Sequence, residues 1–207
     1  MANFDYRNVN ENLSNRFDGH LASNLWAQLV NEPTPQNLYT LQMEGFQLRE
    51  EFPVNCQRIF ISHQQSDINY AERIAYLAYQ QHCQYWLDAH DPLLHYANGL
   101  PIQPPQKSIL IAGIIEIALI NCTQVLAVMS PNSAGSKWIP YEYGRIAHIG
   151  IDDASAWQHP NLIDPPEYMC LRPIHHCRVD IDNWLGNQPN NCGTTWNRPI
   201  PARLPNE

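Results

Sequence analysis

A tryptophan and a glutamate stand one helical turn apart in the segment SKWIPYE, residues 136–142. Side chains four residues apart lie on the same face of a helix, so Trp138 and Glu142 can present a ring and a carboxylate together. A fixed carboxylate can stabilise positive charge that develops in a transition state, and an aromatic plane beside it suits a nucleotide. A packing aromatic and an acid in the first turn of an ordinary helix give the same pattern. Both interpretations stay open on these residues alone.

Polar segments follow three short apolar runs of the chain. They are SHQQSD (62–67), DAHDP (88–92) and SPNSAGSKWIPYE (130–142). In open α/β sheets, ligands bind beyond the carboxyl ends of the strands, so these segments are expected to converge at one edge. His63 follows a strand directly and can either contact a substrate phosphate or bond to backbone. Asp67 is predicted to cap the next helix, and Asp88 to order the loop in which it lies.

Known metal and nucleotide motifs are missing from the sequence. The segment CLRPIHHC (170–177), even with Cys192, matches no common zinc spacing, so no metal site is predicted. The six cysteines form no CxxC pair, which favours reduced thiols over a disulfide framework. The chain also contains neither GxGxxG nor GxxxxGK[ST], so a nucleotide site here would be neither a Rossmann site nor a P-loop.

Strand and helix patterns alternate from residue 57 onward. Apolar runs at 58–62, 84–89 and 124–130 are predicted strands, and the helix-length segments between and after them are 67–82, 107–122 and 136–150. This alternation predicts an α/β domain with a parallel sheet. A late strand within 168–176 and a helix at 178–186 follow. Four prolines make residues 90–106 a predicted long loop, of the kind that is usually functional or mobile.

The chain is divided on these patterns into three parts. Residues 1–56 form a helical extension, with apolar helical spacing at 20–32 and 35–52. Residues 57–185 form the α/β domain. Residues 186–207 are rich in Asn and Pro and are predicted to be an irregular tail.

Charge and hydropathy exclude two classes of partner. The 12 Lys and Arg against 20 Asp and Glu give a net charge of -8 at pH 7, which opposes binding to nucleic acid. The longest apolar run, residues 109–120, is too short to span a bilayer and contains Glu116, so no membrane anchor is predicted. The polar start of the chain lacks the pattern of a secretion signal, and a cytoplasmic protein is expected.

The ordered set of motifs resembles a TIR domain. RIFISHQQSD, YWLDAHD and SILIAGIIEIALINCTQVLAVMSPNSAGSKWIPYEYGR are similar, over residues 57–150, to the bacterial stand-alone TIR proteins of antiphage systems such as Thoeris. The resemblance implies a flavodoxin-like sheet of five strands. It also implies that residues 90–106 are the flexible BB loop over a nucleotide site.

The resemblance further implies an activity. Enzymatic TIR domains cleave the bond between nicotinamide and ribose in NAD, and Glu142 matches their catalytic glutamate. NAD is then a substrate, no cofactor is needed, and the product is ADP-ribose or a cyclic ADP-ribose-type signal for a downstream effector. Self-association through TIR contacts is also implied. The apolar residues of the predicted loop at 90–106 are expected to form an exposed surface for it, and they are Leu93, Leu94, Leu100 and Ile102. The residues expected to bind substrate are Phe60, Ser62, His63, Ser66, Asp88 and Trp138.

Two other functions remain open on the sequence. One is a non-enzymatic TIR module that assembles with other TIR domains, against which the complete SKWIPYE motif argues. The other is a base-exchange or nucleoside-transferring enzyme, since a carboxylate beside a ribose carbon serves that chemistry as well. Competition between NAD and free nucleosides would separate the two enzymatic possibilities.

Overall fold

The computed structural model describes residues 23–51, 57–147, 153–187 and 204–205. The chain divides into two compact units. The helical unit comprises Met1–Asn55 and Asp88–Asn121, and the sheet unit comprises Cys56–Leu87 and Cys122–Glu207.

The sheet unit contains five parallel strands. They are β1 (Arg58–Ser62), β2 (Gln84–Trp86), β3 (Gln124–Met129), β4 (Ala154–Gln158) and β5 (Ile174–His175). Their order across the sheet is β2-β1-β3-β4-β5, and every neighbouring pair is parallel. This is the flavodoxin-like order. The chain adds β2 on one side of β1 and then β3, β4 and β5 on the other side, so the strand order switches between β1 and β3. The predicted α/β class and parallel sheet are confirmed.

Helices cover both faces of this sheet. The helices of the sheet unit are α3 (Ile68–Gln80), α6 (Trp138–Ala147) and α7 (Arg178–Gly186). Ile59 and Ile61 of β1 belong to the same hydrophobic core as the buried residues of α3 and α7. Successive side chains on a strand point to opposite faces, and Ser62 bonds to a residue of α6, so α6 covers the other face.

Two parts of the sheet differ from the prediction. Strand β4 was missed, because its sequence ASAWQ offers neither an apolar run nor β-branched residues, although it lies between β3 and β5. Within 168–176, the first four residues of the predicted late strand belong to a 3₁₀-helix, Glu167–Leu171, and only Ile174–His175 is strand.

The helical unit contains both predicted N-terminal helices. Its helices are α1 (Ser23–Asn31), α2 (Pro35–Glu51), α4 (Pro92–Gly99) and α5 (Pro104–Asn121). Helix α1 packs so closely on α5 that a Cβ atom at Gly113 would lie 2.3 Å from Leu29 Cδ2. Between α2 and α5, Gln42 Nε2 donates to the buried carboxylate of Glu116 at 3.0 Å. None of the helices in the described ranges is long and apolar enough to cross a membrane.

The prediction of a long loop at 90–106 was wrong, because most of this segment is helical. Asp91 caps α4 by accepting from the backbone N–H groups of Leu93 and Leu94, at 2.7 and 3.2 Å. Prolines are tolerated in the first turn of a helix, where the amides lack intrahelical acceptors, and three of the four occupy that position in α4 and α5. Leu93 and Leu94 are buried, so they do not form the exposed apolar surface expected of a self-association loop.

Strand β5 contains a buried histidine, His175, whose protonation is expected to make folding stability depend on pH. Burial lowers the pKa of His175 from 6.5 to about 4, partly offset by Asp180. Between these two values the unfolded chain binds more protons than the folded protein, so stability falls as the pH falls from 6.5 towards 4. We expect denaturant unfolding to show a loss of about 1 to 2 kcal/mol between pH 7 and pH 5 that His175→Gln removes. His95→Gln, at an exposed position of α4, is the control. An unchanged pH dependence in His175→Gln would contradict this assignment.

Candidate functional site

The candidate site lies at the carboxyl ends of β1 and β3. Ser62, the last residue of β1, pairs in register with Ala127 of β3. Two segments leave the sheet at this edge, which we call the β1 loop (residues 63–67) and the β3 loop (residues 130–137). The β3 loop leads directly into α6. The reversal of strand order between β1 and β3 is the usual position of a ligand site in this type of sheet.

Glu142 is the centre of this site. It is only 7% exposed, and its Oε2 accepts a hydrogen bond of 2.5 Å from the hydroxyl of Ser62, which is 1% exposed. A hydroxyl that donates to a carboxylate at such a distance makes a strong, charge-assisted hydrogen bond. Ser62 therefore holds the carboxylate of Glu142 in a fixed place.

The start of α6 sets the direction of this carboxylate. Ser136 Oγ accepts from the backbone N–H groups of Trp138 and Ile139, both at 3.3 Å, and so caps the start of the helix. Glu142 lies beyond the first turn and on the buried side of the helix, near Ile139 and Ile146 in the helical repeat. The alternative that Glu142 is a first-turn acid stabilised by the helix dipole is therefore wrong.

Trp138 differs from Glu142 in its surroundings. Its side chain is 42% exposed, and its ring meets that of Tyr141 nearly edge-on at a centroid distance of 5.9 Å. The same helix thus carries an accessible indole one turn before a buried carboxylate. An exposed indole of this kind can stack on a planar ligand.

The remaining candidates of the sheet unit surround β1. Phe60 points to the same face as Ser62, is 1% exposed and stacks on Trp86 at a centroid distance of 4.6 Å, so it forms a packed layer beneath the site. His63 Nδ1 lies 3.4 Å from the carbonyl oxygen of Ile61, which matches the backbone-bonded alternative. Ser66 is exposed in a short 3₁₀-helix, Gln65–Asp67. Ligand contact by these residues stays a prediction.

Asp88 belongs to the helical unit. It begins the 3₁₀-helix Asp88–His90, and its Oδ1 accepts from the backbone N–H of Ala89 at 2.5 Å. This contact orders the local turn, as the alternative interpretation of Asp88 proposed. Its contribution to substrate binding stays a prediction.

Asp67 has a role that the sequence did not predict. It stands at the N-cap position of α3, but its side chain makes no capping hydrogen bond. Its buried carboxylate instead accepts from Ser130 Oγ at 2.7 Å and from Asn132 Nδ2 at 3.0 Å. The prediction of a side-chain cap was wrong because the β3 loop provides competing donors. The available signal was that both segments follow strands at the same edge.

The segment CLRPIHHC (170–177), for which no metal site was predicted, makes hydrogen bonds to the start of α7. The backbone N–H groups of His176 and Cys177 both donate to Asp180, at 3.0 and 3.2 Å, at the start of α7. These bonds, led by the one from His176, hold the pKa of Asp180 below its usual value. Within the residues described, no group of three or more His, Cys, Asp or Glu side chains is placed to hold a metal ion.

The sequence matches no protein-family model, and comparisons with curated proteins and with solved structures also find no match. Function must therefore be argued from the residues of the site. Their arrangement offers a buried and oriented carboxylate, a hydroxyl that holds it, and an exposed aromatic ring on the same helix.

Proposed function

We propose that this protein is a TIR-type enzyme that cleaves the bond between nicotinamide and ribose in NAD. The observation that carries the proposal is the carboxylate of Glu142, buried and held by Ser62 at the β1/β3 edge. A buried carboxylate that is oriented before the reaction can stabilise a cationic transition state more than an exposed one can. The resemblance of residues 57–150 to TIR domains supports the same proposal.

The proposed reaction breaks one N-glycosidic bond. The bonding electron pair leaves with the pyridinium nitrogen, which makes nicotinamide neutral, and positive charge develops on the ribosyl ring. Glycosidases stabilise such oxocarbenium-like transition states with carboxylates. Glu142 would do so here while holding the ribose hydroxyls. Water, or a nucleophile within the remaining ADP-ribose, then bonds to the anomeric carbon and loses a proton.

The other residues would orient the substrate. The exposed ring of Trp138 forms an aromatic wall for a planar part of NAD, and Ser62 holds the carboxylate of Glu142. His63 and Ser66, in the β1 loop, are the candidates for polar contact with the rest of the nucleotide. Capture by water gives ADP-ribose, whereas capture by an internal nucleophile gives a cyclic product.

The biological setting follows from the resemblance. We propose a cytoplasmic enzyme of antiphage defence whose nucleotide product is read by a downstream effector. Nucleic acid is not expected as a partner, because the net charge of -8 opposes it.

Nicotinamide release by the purified protein tests this proposal. Incubation with NAD should produce nicotinamide in an amount equal to the NAD consumed. Adding free nucleosides in competition separates the two enzymatic possibilities, since a nucleoside-transferring enzyme would use them as substrates and release nicotinamide more slowly, whereas an NAD-specific enzyme would not. A folded protein that leaves NAD intact at every concentration would instead support a non-enzymatic interaction module.

Self-association is expected to control the activity. The resemblance implies an active assembly, although the leucines of α4 do not provide the exposed surface first expected for it. Specific activity should therefore fall when the enzyme is diluted, in parallel with dissociation measured by sedimentation. Constant specific activity from a protein that remains monomeric over the whole range would contradict this prediction.

A further inference from the structure

A buried carboxylate connects the two loops of the candidate site. Asp67 ends the β1 loop, and each of its oxygens accepts from a different residue of the β3 loop. Oδ2 accepts from the hydroxyl of Ser130, and Oδ1 accepts from the amide of Asn132. The Asp67 side chain is only 1% exposed, so solvent competes little for these hydrogen bonds.

The β3 loop is folded around the residue that Asp67 holds. Ser130 Oγ also accepts from the backbone N–H of Asn132 at 2.9 Å, so its donor and acceptor capacities are both used. Ser133 Oγ accepts from the backbone N–H of Ser130 at 2.9 Å and donates to its carbonyl oxygen at 2.7 Å. Hydrogen bonds within the loop therefore set its conformation, and the hydrogen bonds from Ser130 and Asn132 attach it to Asp67.

The position of α6 depends on this loop. Only two residues lie between Ser133 and the cap Ser136, and the helix starts at Trp138. A displacement of the loop would move the start of α6, and with it the indole of Trp138 and the carboxylate of Glu142. Displacements of about 1 Å in a catalytic group can cost up to about a hundredfold in rate.

We propose that Asp67 is a positioning residue for the Glu142 site. Its carboxylate joins the β1 loop, which carries His63 and Ser66, to the β3 loop, which places α6. Asp67 acts through Ser130 and Asn132 and does not contact substrate. The kinetic part of this inference rests on the proposed function, whereas the ordering of the β3 loop can be measured without substrate.

Asp67→Asn tests the inference with little change of shape. The amide cannot accept from both donors as the carboxylate does, so one hydrogen bond is lost. We expect kcat for nicotinamide release to fall about tenfold, with the KM for NAD changing little. Without substrate, amide hydrogen exchange at residues 131–138 should become faster. Asp182→Asn, in an ion pair with Arg178 on α7, is the matched control and should change neither measurement.

A second set of variants tests the same inference in case Asp67→Asn does not fold. Asn132 is exposed, so Asn132→Ala should fold normally while removing one of the two hydrogen bonds to Asp67. Because Asp67→Asn and Ser130→Ala break the same connection, the double variant should lose little more kcat than either single variant. Independent, multiplicative losses would show that Asp67 does not act through Ser130.

The outcomes separate this inference from the proposed function. Faster loop exchange in Asn132→Ala and Asp67→Asn, with kcat lowered and losses that do not multiply, would support it. Folded variants with unchanged exchange, or with faster exchange and full kcat, would overturn it. If the unaltered protein releases no nicotinamide, the proposed function fails, and unchanged exchange in the variants would still reject the connection between the loops.

Discussion

Glu142→Gln should lower kcat for nicotinamide release by about a hundredfold or more at saturating NAD. One preorganised electrostatic group at a transition state is worth about 3 kcal/mol, which corresponds to this loss in rate. Glutamine has nearly the same shape, and its carbonyl oxygen can accept the hydrogen bond that Ser62 donates. The substitution should therefore remove the charge and leave the fold, which thermal melting checks.

The matched control is the same substitution at Glu44, an exposed residue of α2. Glu44→Gln should leave kcat and the melting temperature unchanged. A folded Glu142→Gln enzyme with close to full kcat would reject Glu142 as the catalytic group. The carboxylate would then be a buried structural residue of an interaction module.

Ser62→Ala should lower kcat by about tenfold to a hundredfold. A hydrogen bond to a charged group contributes about 1.5 to 3 kcal/mol, and each 1.4 kcal/mol is about a factor of ten in rate. If Ser62 only holds Glu142, kcat should fall while the KM for NAD changes little. The double variant with Glu142→Gln should then be no slower than Glu142→Gln alone, because both changes act on one interaction.

The sheet unit contains a matched control for this substitution. Ser155 of β4 is fully buried, and its Oγ has no hydrogen-bond partner among the residues that the structure describes. Ser155→Ala should therefore keep kcat and leave stability unchanged or higher, because it removes an unsatisfied polar group. A rise in KM without a fall in kcat for Ser62→Ala would instead assign Ser62 to direct substrate binding.

The sequence predicted the elements with strong periodic signals. The apolar runs at β1 and β3 and the amphipathic spacing of α3 are confirmed nearly residue by residue. Strand β4 was missed because ASAWQ lacks β-branched residues, and its place in the sheet comes from pairing with β3 and β5. The helix α4 was missed because its proline was counted as a helix breaker, although proline is favoured at the first helical position.

The sequence predicted which residues lie at the candidate site, but it did not predict the hydrogen bonds between them. Placing Ser62 and Glu142 near each other needed only the carboxyl ends of the strands and the start of α6. The hydrogen bond between them depends on which side of α6 faces β1, and sequence spacing does not decide this. For Asp67, the N-cap position was right, but long-range donors from Ser130 and Asn132 replaced the local cap.

Product analysis after reaction in water enriched in the heavy oxygen isotope tests the central claim most directly. Cleavage at the glycosidic bond predicts nicotinamide without the label, together with one of two products identified by mass spectrometry. ADP-ribose with one labelled oxygen would indicate that water captures the ribosyl cation. An unlabelled product whose mass is that of ADP-ribose less one water would indicate capture by a nucleophile within the same molecule. Either product, lost in Glu142→Gln, is the expected result. Recovery of intact NAD, or formation of nicotinamide mononucleotide and AMP by cleavage of the pyrophosphate, would contradict the account.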